Sequence, residues 1–230
     1  QETADQKQQF INDFAHELRT PLTAIYGYAE YLQRAPATEK ERFECTRFIL
    51  SECERLQNLA YQLLDLAALR EIETKDCAVE ELFQRVCGIM QVKAEKKEII
   101  LDSACGPEYI SGNMELLITL LSNLIDNALK ASPAGSVIRL DAAEEEDTLI
   151  LEVTDQGIGM TKEQIAHIKE AFYRVDKSRS RAAGGAGLGL SICERIVQLH
   201  QGKLEFISLP GEGTTARVFL PCGMENRESL

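Results

Sequence analysis

A heptad repeat of apolar side chains runs through the first part of the chain and limits it to amphipathic helices that must pack against a partner. The first helix is expected to extend to about residue 35, because Pro36 and its neighbours interrupt the repeat. Aliphatic residues take one seam position, and two aromatic residues with a proline take the other: Ile11, Leu18, Ile25 and Leu32, then Phe14, Pro21 and Tyr28. Residues 1–35 are therefore predicted to form one long helix with a single buried face.

A second helix is predicted from Thr38 to about Arg70. Thr38 and Glu41 have the Thr-x-x-Glu spacing of a capping box, which satisfies the first backbone N–H groups of a helix. Two helices joined by a short turn leave half of each apolar stripe exposed. We therefore expect residues 1–72 to form a helical hairpin that pairs with a second copy in a homodimeric four-helix bundle. The stripe of the second helix consists of Ile49, Leu56, Leu59, Leu63 and Leu66.

His16 lies opposite the seam of the first helix and is expected to point into water. Glu17 is its neighbour in the chain, and Thr20 shares its face one helical turn further on. Pro21 is expected to kink the helix just beyond this group. Periodicity alone favours a surface histidine without a function, so the significance of His16 depends on the rest of the chain.

The composition excludes several classes of protein. A hydrophobic fraction of 44% over 230 residues is enough for one or two domains with real cores. The formal net charge of −12 disfavours nucleic acid or an anionic membrane as a partner. Seven scattered cysteines without a Cys-x-x-Cys pair argue against a zinc site or a disulfide framework, and they fit a reducing cytosol.

The heptads give way to alternating strands and helices after a polar connector at residues 73–76, which we interpret as a domain boundary. Strands collected on one side of helices predict a two-layer α/β sandwich over residues 77–221, followed by a tail at 222–230. His200 is expected at the end of a helix, where the helix dipole favours it. The predicted elements are helices over 79–97, 113–131 and 186–200, a strand over 98–103, a hairpin over 137–155, and closing strands over 203–208 and 214–220.

A polar stripe on the helix over 113–131 consists of Asn123, Asn127 and Lys130. An ordinary solvent-exposed face is the simple explanation. Asparagine, however, costs roughly half a kcal/mol relative to alanine inside a helix, so two on one face call for another reason. An amide oxygen suits Mg²⁺ that is held mainly by phosphates, and Lys130 could bind a phosphate directly.

The sequence Asp155-Gln-Gly157-Ile-Gly159 follows a strand whose core-facing residues alternate. Asp155 has the same parity as those residues, so its carboxylate is expected to point into the core and to need a partner. The exocyclic amine of adenine would be such a partner, with the glycines allowing the backbone close to the ring. An Asx turn that ends the strand explains the motif equally well.

A glycine-rich segment at residues 184–189 leads directly into a helix, an arrangement that can cradle phosphate. The segment before it, residues 172–181, holds four positive charges and one negative charge in an otherwise acidic chain. This is the local positive charge that a triphosphate needs, and the length suggests a lid that orders around nucleotide. A further turn, Gly211-Glu-Gly213-Thr214, enters the last strand.

Six motifs in this order and spacing closely resemble the two-component sensor histidine kinases, over about Phe10 to Pro221. They are His-Glu-Leu-Arg-Thr-Pro-Leu, Asn-Leu-x-x-Asn-Ala-x-Lys, Asp-x-Gly-x-Gly, Phe-Tyr-Arg-Val-Asp-Lys-Ser, Gly-x-Gly-Leu-Gly-Leu and Gly-x-Gly-Thr. The resemblance implies a dimerisation and histidine-phosphotransfer hairpin followed by a Bergerat-type ATP-binding domain. Ala131 and Ala15 depart from the family's usual residues at those positions.

The resemblance carries His16 over as the phosphoacceptor, Glu17 as its base, Asn127 as the magnesium ligand and Asp155 as the residue that reads adenine. By the same resemblance, Thr214 is expected to support the adenine site. The residues assigned to ATP and Mg²⁺ are Asn123, Asn127, Lys130, Asp155, Gly157, Gly159, Tyr173, Arg174, Lys177, Gly185, Gly187, Leu188, Gly189 and Thr214.

The expected activity is ATP-dependent autophosphorylation of His16, followed by phosphoryl transfer to an aspartate in the receiver domain of a response regulator. Thr20 completes a His-Glu-x-x-Thr pattern that, in similar kinases, accompanies phosphatase activity toward the regulator; back-bonding to the His16 carbonyl explains Thr20 equally well. The alternatives are a non-catalytic dimeric scaffold that senses ATP and an ATP-driven clamp. We expect a cytoplasmic segment, belonging to a membrane-anchored sensor or served by a separate one.

Overall fold

The computed structural model describes residues 2–68, 72–104, 109–145, 147–175 and 187–222, with the backbone alone for residues 2–7, 9–10 and 61–68. The chain divides into two compact units. One comprises Gln1–Asp65 with Ala171–Leu188, and the other comprises Leu66–Glu170 with Gly189–Leu230. The segment Ala171–Leu188, expected within the nucleotide-binding domain, therefore groups with the helical hairpin.

Two long helices, α1 (Glu2–Arg34) and α2 (Glu39–Ala68), build the first unit. Thr38 and Glu41 form both bonds of the predicted capping box: the Thr38 N–H donates to Glu41 Oε2 at 2.8 Å, and the Glu41 N–H donates to Thr38 Oγ1 at 3.3 Å. Helix α1 continues through Pro21, which is buried. The predicted helical hairpin is confirmed.

The apolar faces of the hairpin are only partly covered within one chain. Tyr28 stacks on Phe48 with the ring centroids 5.2 Å apart, so one contact between the helices is aromatic. Most seam residues are half-buried, whereas Ile11 is exposed. Other large apolar side chains outside the predicted seam are also exposed, namely Leu22 and Tyr26 on α1 and Phe43 and Leu50 on α2.

The second unit contains a five-stranded sheet with the strand order β2-β4-β5-β7-β6. Strand β2 pairs in parallel with β4, and the other neighbouring strands are antiparallel. Strands β1 and β3 form a separate antiparallel pair. The elements in chain order are β1 (Lys75–Ala78), α3 (Val79–Lys96), β2 (Ile100–Ala104), β3 (Tyr109–Gly112), α4 (Met114–Ala131), β4 (Val137–Glu145), β5 (Thr148–Asp155), α5 (Lys162–His167), α6 (Gly189–Leu199), β6 (Lys203–Leu209) and β7 (Gly213–Pro221).

The core of this unit lies where the helices pack on the sheet. Helix α4 packs against β4, β5 and β7, α3 packs against β2, and α6 packs against β6. Strand β5 buries every second residue, so the alternation read from the sequence is present. The predicted α/β sandwich is confirmed. The buried residues of α4 are Leu117, Ile118, Leu120, Leu121, Leu124, Ile125, Ala128 and Leu129.

Several boundaries differ from the sequence prediction. Lys75 and Asp76, assigned to the connector, instead begin β1, whose pairing with β3 could not be read from four-residue strands. Helix α6 begins at Gly189, three residues later than expected. Helix α5 was missed, although Thr161 and Gln164 form a capping box that the Thr-x-x-Gln spacing carries. None of the helices in the described ranges has the length and apolar character needed to cross a membrane.

His200 differs from its prediction in environment rather than in position. It directly follows α6, but its side chain is buried. The Asn113 N–H donates to Nε2 at 3.0 Å, and Nδ1 lies 2.8 Å from the carbonyl oxygen of Ile196. Because a carbonyl only accepts, Nδ1 carries the proton and the ring is neutral. The ring therefore connects the end of α6 to the start of α4 through hydrogen bonds. These bonds explain the position of His200 without a favourable interaction with the helix dipole.

Candidate functional site

Asp155 ends strand β5 with its carboxylate buried on the core face, at 7% exposure. Its Oδ1 accepts hydrogen bonds from the N–H of Gly157 at 2.7 Å and from the N–H of Thr214 at 3.2 Å. Burial raises the pKa of Asp155 above its ordinary value, and the two backbone amides oppose that rise. The predicted Asx turn is therefore formed. Oδ2 accepts no hydrogen bond from the described parts of the chain, so one oxygen remains for a ligand.

Gly157 and Gly159 are required by contacts within the chain. A Cβ at Gly157 would lie 2.8 Å from the backbone of Ala131, at the end of α4. Gly159 has φ +63, and a Cβ there would overlap the carbonyl oxygen of Leu209 at the end of β6. The two glycines thus hold the loop after Asp155 against its neighbours. This packing role is additional to the predicted one, in which the glycines allow the backbone close to a nucleotide ring.

Asp155, Thr214 and Ser208 form a row across three neighbouring strands. Asp155 is the direct partner of Thr214, and Thr214 is the direct partner of Ser208. Directly opposed residues point to the same side of a sheet, so the three side chains share a face. Ser208 Oγ lies 2.9 Å from Thr214 Oγ1 and 2.7 Å from the Gly213 carbonyl oxygen, and it accepts from the Met160 N–H at 2.8 Å. The sequence reasoning missed Ser208, because strand pairing cannot be read from a lone serine.

The polar stripe of α4 lies on the half-buried side of the helix. Asn123 and Asn127 are both half-buried, and Asn123 Nδ2 donates to the Thr119 carbonyl at 2.9 Å. A Cβ at Gly189 would lie 3.0 Å from Asn123 Oδ1, so the start of α6 passes close to this stripe. The absence of a side chain at Gly189 therefore allows the start of α6 to lie close to Asn123 of α4.

Lys130 is held by Asp126 in this structure. The Lys130 ammonium lies 2.6 Å from Asp126 Oδ2, and Lys93 of α3 lies 2.8 Å from Asp126 Oδ1. Burial opposes ionisation of Asp126, but the two ammonium groups hold its pKa below the ordinary value. A phosphate that recruits Lys130 would therefore have to compete with Asp126, a neighbour that the sequence argument did not consider.

Asn127 fits a magnesium ion only as a single neutral ligand. Within the ranges that the structure describes, no group of three or more His, Cys, Asp or Glu side chains could hold a metal. Mg²⁺ keeps water and phosphate ligands readily and often takes only one or two ligands from the protein. The half-buried amide of Asn127 could therefore be the one protein ligand of a Mg²⁺ ion that is otherwise bound by water and phosphate.

The glycine-rich segment is described only from Gly187 onward, and Lys177 and Gly185 lie outside the described residues. Gly187 has φ +78, and its carbonyl accepts from the Phe172 N–H at 2.9 Å. A Cβ at Gly187 would lie 2.8 Å from Phe172 Cα, so no larger residue fits without rearrangement. Leu188 is fully buried and Tyr173 is half-buried.

The hairpin exposes His16 and holds Glu17 in ion pairs. Glu17 Oε2 lies 2.9 Å from Arg55 Nη2 on α2 and 3.8 Å from Arg174 Nη1. Thr20 Oγ1 donates to the His16 carbonyl at 3.3 Å, which is the structural alternative considered for that residue. Arg55 was missed because the sequence alone does not give the register between two helices.

Two family models match the chain in separate segments. Residues 6–72 match the His Kinase A (phospho-acceptor) domain. Residues 112–224 match the histidine kinase-, DNA gyrase B- and HSP90-like ATPases. The first match contains His16, Glu17 and Arg55, and the second contains the row at Asp155.

Similar proteins come from bacteria and are longer than this chain. The chain is 34% identical over 242 residues to the sensor histidine kinase WalK of Bacillus subtilis, covering 99% of this chain and 39% of the relative. It is 36% identical over 213 residues to the sensor histidine kinase YkoH of the same organism, covering 91% of this chain and 46% of the relative. The chain thus spans less than half the length of these two relatives.

A solved structure extends the likeness to the fold. The full-length protein ShkA in complex with AMPPNP has a TM-score of 0.68 and 27% sequence identity, covering 93% of this chain and 45% of that one. Both units of the present chain thus have a counterpart in a solved structure.

Proposed function

The chain belongs to the two-component sensor histidine kinases, and from this premise we propose that it is a catalytic core that phosphorylates His16 with ATP. The phosphoryl group then passes to an aspartate of a response regulator. One observation carries this proposal. The same chain has an exposed histidine in its phospho-acceptor segment and a buried carboxylate, Asp155, in its ATPase segment. A non-catalytic scaffold has no need for the first of these.

In the proposed reaction, a neutral nitrogen of His16 attacks the γ-phosphorus of ATP, the bond from that phosphorus to the β–γ bridging oxygen breaks, and ADP leaves. Imidazole suits this step because it is the side chain that titrates nearest neutral pH. Glu17 would relieve the other ring nitrogen as positive charge develops. Arg55 binds one oxygen of Glu17, which orients that carboxylate.

Most of the residues proposed to bind the nucleotide belong to the second unit. The free oxygen of Asp155 would accept from the adenine amine, and Asn127 would hold Mg²⁺ together with the phosphates. Bound Mg²⁺ supplies neutralisation of the phosphate charge. Lys130 would exchange Asp126 for a phosphate, and Arg174, Lys177 and the glycine-rich segment would contribute the remaining positive charge and N–H groups.

We further propose that Thr20 supports dephosphorylation of the regulator. Its hydroxyl is one helical turn from His16 and could orient a water toward an aspartyl phosphate. The bond to the His16 carbonyl does not prevent this, because it uses only the hydroxyl proton and leaves the oxygen lone pairs. Thr20→Ala should therefore retain autophosphorylation and slow the decay of separately phosphorylated regulator, and unchanged decay would leave Thr20 with a structural role.

Partners and location follow from the same premise. The exposed apolar residues Leu22, Tyr26, Phe43 and Leu50 support a homodimer of hairpins, since a second copy would remove them from water. We propose residues 1–72 as the dimerisation and phosphotransfer domain and residues 77–221 as the ATP-binding domain. The whole would be a cytoplasmic part of a longer sensor.

The test is the chemistry of the label. Incubation with γ-labelled ATP and Mg²⁺ should give a phosphorylated protein whose label is lost in acid and retained in base. A protein that binds ATP but acquires no label is the ATP-sensing scaffold. An acid-stable label would indicate transfer to a hydroxyl rather than to a histidine.

A further inference from the structure

Ser208 makes three polar contacts with one hydroxyl group. The Met160 N–H donates to its Oγ at 2.8 Å. The Gly213 carbonyl oxygen lies at 2.7 Å, and Thr214 Oγ1 lies at 2.9 Å. A hydroxyl has one proton and two acceptor lone pairs, so three partners saturate it. The three partners therefore determine the direction of each hydrogen bond of Ser208.

The Gly213 carbonyl only accepts, so the Ser208 proton must go to it. The Met160 N–H only donates, so it takes one lone pair of Ser208. The second lone pair faces Thr214, and that contact is a hydrogen bond only if Thr214 supplies its own proton. In the reverse arrangement, Ser208 would donate to Thr214 and leave two acceptor oxygens in contact at 2.7 Å, which is unfavourable.

These bonds fix the direction in which the Thr214 hydroxyl donates its proton. Its proton points to Ser208, and its remaining lone pairs face away from that bond. On the same face of the sheet, Asp155 is the next residue of the row and also presents an acceptor. The row therefore offers acceptors to a ligand and offers no hydroxyl donor from Thr214.

We propose that Ser208 is a positioning residue that sets the base specificity of the nucleotide site by locking Thr214 as an acceptor. This inference rests on the proposed function, because it concerns the same nucleotide. A purine with an amino group at carbon 6 donates to such a row. A purine with a carbonyl at that carbon can still donate from its protonated N1, but its carbonyl oxygen meets only acceptors and is left without a partner.

The test compares the binding of ADP and IDP, which differ in the group at carbon 6 and in the proton on N1 and which allow no transfer of a γ-phosphate. Isothermal titration with the full chain gives the ratio of the two dissociation constants. Ser208→Ala frees the Thr214 hydroxyl to rotate and donate, so the preference for ADP should narrow by about tenfold, the usual worth of one hydrogen bond. Ser208→Thr keeps a hydroxyl at the same position and should keep the wild-type ratio.

A second pair of variants separates this role from a general loosening of the loop. Thr214→Val removes the hydroxyl that Ser208 is proposed to orient, so adding Ser208→Ala to Thr214→Val should change the ratio no further. An equal change in both backgrounds, or a wild-type ratio in Ser208→Ala, would overturn the inference. Failure of the wild-type chain to bind ADP would instead overturn the proposed function as well. If Ser208→Ala does not fold, the ratio of the dissociation constants of ADP and IDP is compared between the wild type and Thr214→Val.

Discussion

Glu17 takes its orientation from Arg55, a residue of the neighbouring helix. The side chain of Arg55 is 11% exposed, and its Nη2 lies 2.9 Å from Glu17 Oε2. A charge-assisted bond of this kind, largely shielded from water, is worth more than an exposed surface pair. If Glu17 is the base for His16, the ion pair is part of the catalytic arrangement and not only a link between two helices.

Arg55→Ala is therefore expected to lower the autophosphorylation rate by about tenfold, below the full worth of a general base because Glu17 itself remains. ATP affinity should not change, since the pair lies in the hairpin. Rates measured with labelled ATP, together with ATP titration, check both statements. Arg47→Ala, on the same helix, is the matched control, and a rate in Arg55→Ala equal to wild type would remove Arg55 from the mechanism.

His200 makes the stability of the chain depend on pH. Burial lowers its pKa below the ordinary 6.5, while the bond to the Ile196 carbonyl opposes that shift. The unfolded chain then binds more protons than the folded chain as pH falls below about 6.5, so stability falls with falling pH and levels off below the folded-state pKa.

Urea unfolding followed by circular dichroism between pH 5 and 7.5 measures this effect. His200→Gln should reduce the loss of stability on acidification, because the variant has no imidazole to protonate. A wild-type slope in His200→Gln would contradict the neutral, buried ring.

Among the elements, the loop after β5 depends on its glycines, because a side chain at Gly157 or Gly159 would overlap neighbouring backbone. Gly159 and Gly211 both have positive φ, but only Gly159 is also in close contact with another strand. Gly211→Ala should cost about 1–2 kcal/mol from backbone strain alone. Gly159→Ala adds the overlap with Leu209 and should cost more and weaken ADP binding. Equal unfolding free energies for the two variants would contradict this account.

Long periodic elements were predictable, and short or paired ones were not. Three features depend only on residues that are close together in the chain, so they could be predicted from the sequence. They are the heptads of α1, the capping box at Thr38 and the alternation through Asp155. Strands β1 and β3 have four residues each and exist because they pair with each other. Arg55 and Ser208 lie near site residues through contacts between elements, and such contacts depend on helix register and strand order.

For the whole molecule, the limits of the ATP-binding unit need adjustment. The predicted domain begins at residue 77, but β1 begins at Lys75 and pairs with β3. A fragment of residues 72–222 should therefore be a monomer that binds ADP and unfolds at higher urea than a fragment of residues 77–222. Residues 1–72 should dimerise. Light scattering and urea titration test these statements, and equal stability of the two longer fragments would show that β1 is dispensable.

We propose that ATP bound through Asn127 phosphorylates His16. The most direct measurement is mass spectrometry, at neutral to basic pH, of the full chain after incubation with ATP and Mg²⁺. We expect one phosphoryl group on the peptide that contains His16. That group should be lost in Asn127→Ala, and it should also be lost in His16→Ala with ADP binding retained. A phosphoryl group on another peptide, or undiminished phosphorylation of His16→Ala, would contradict it.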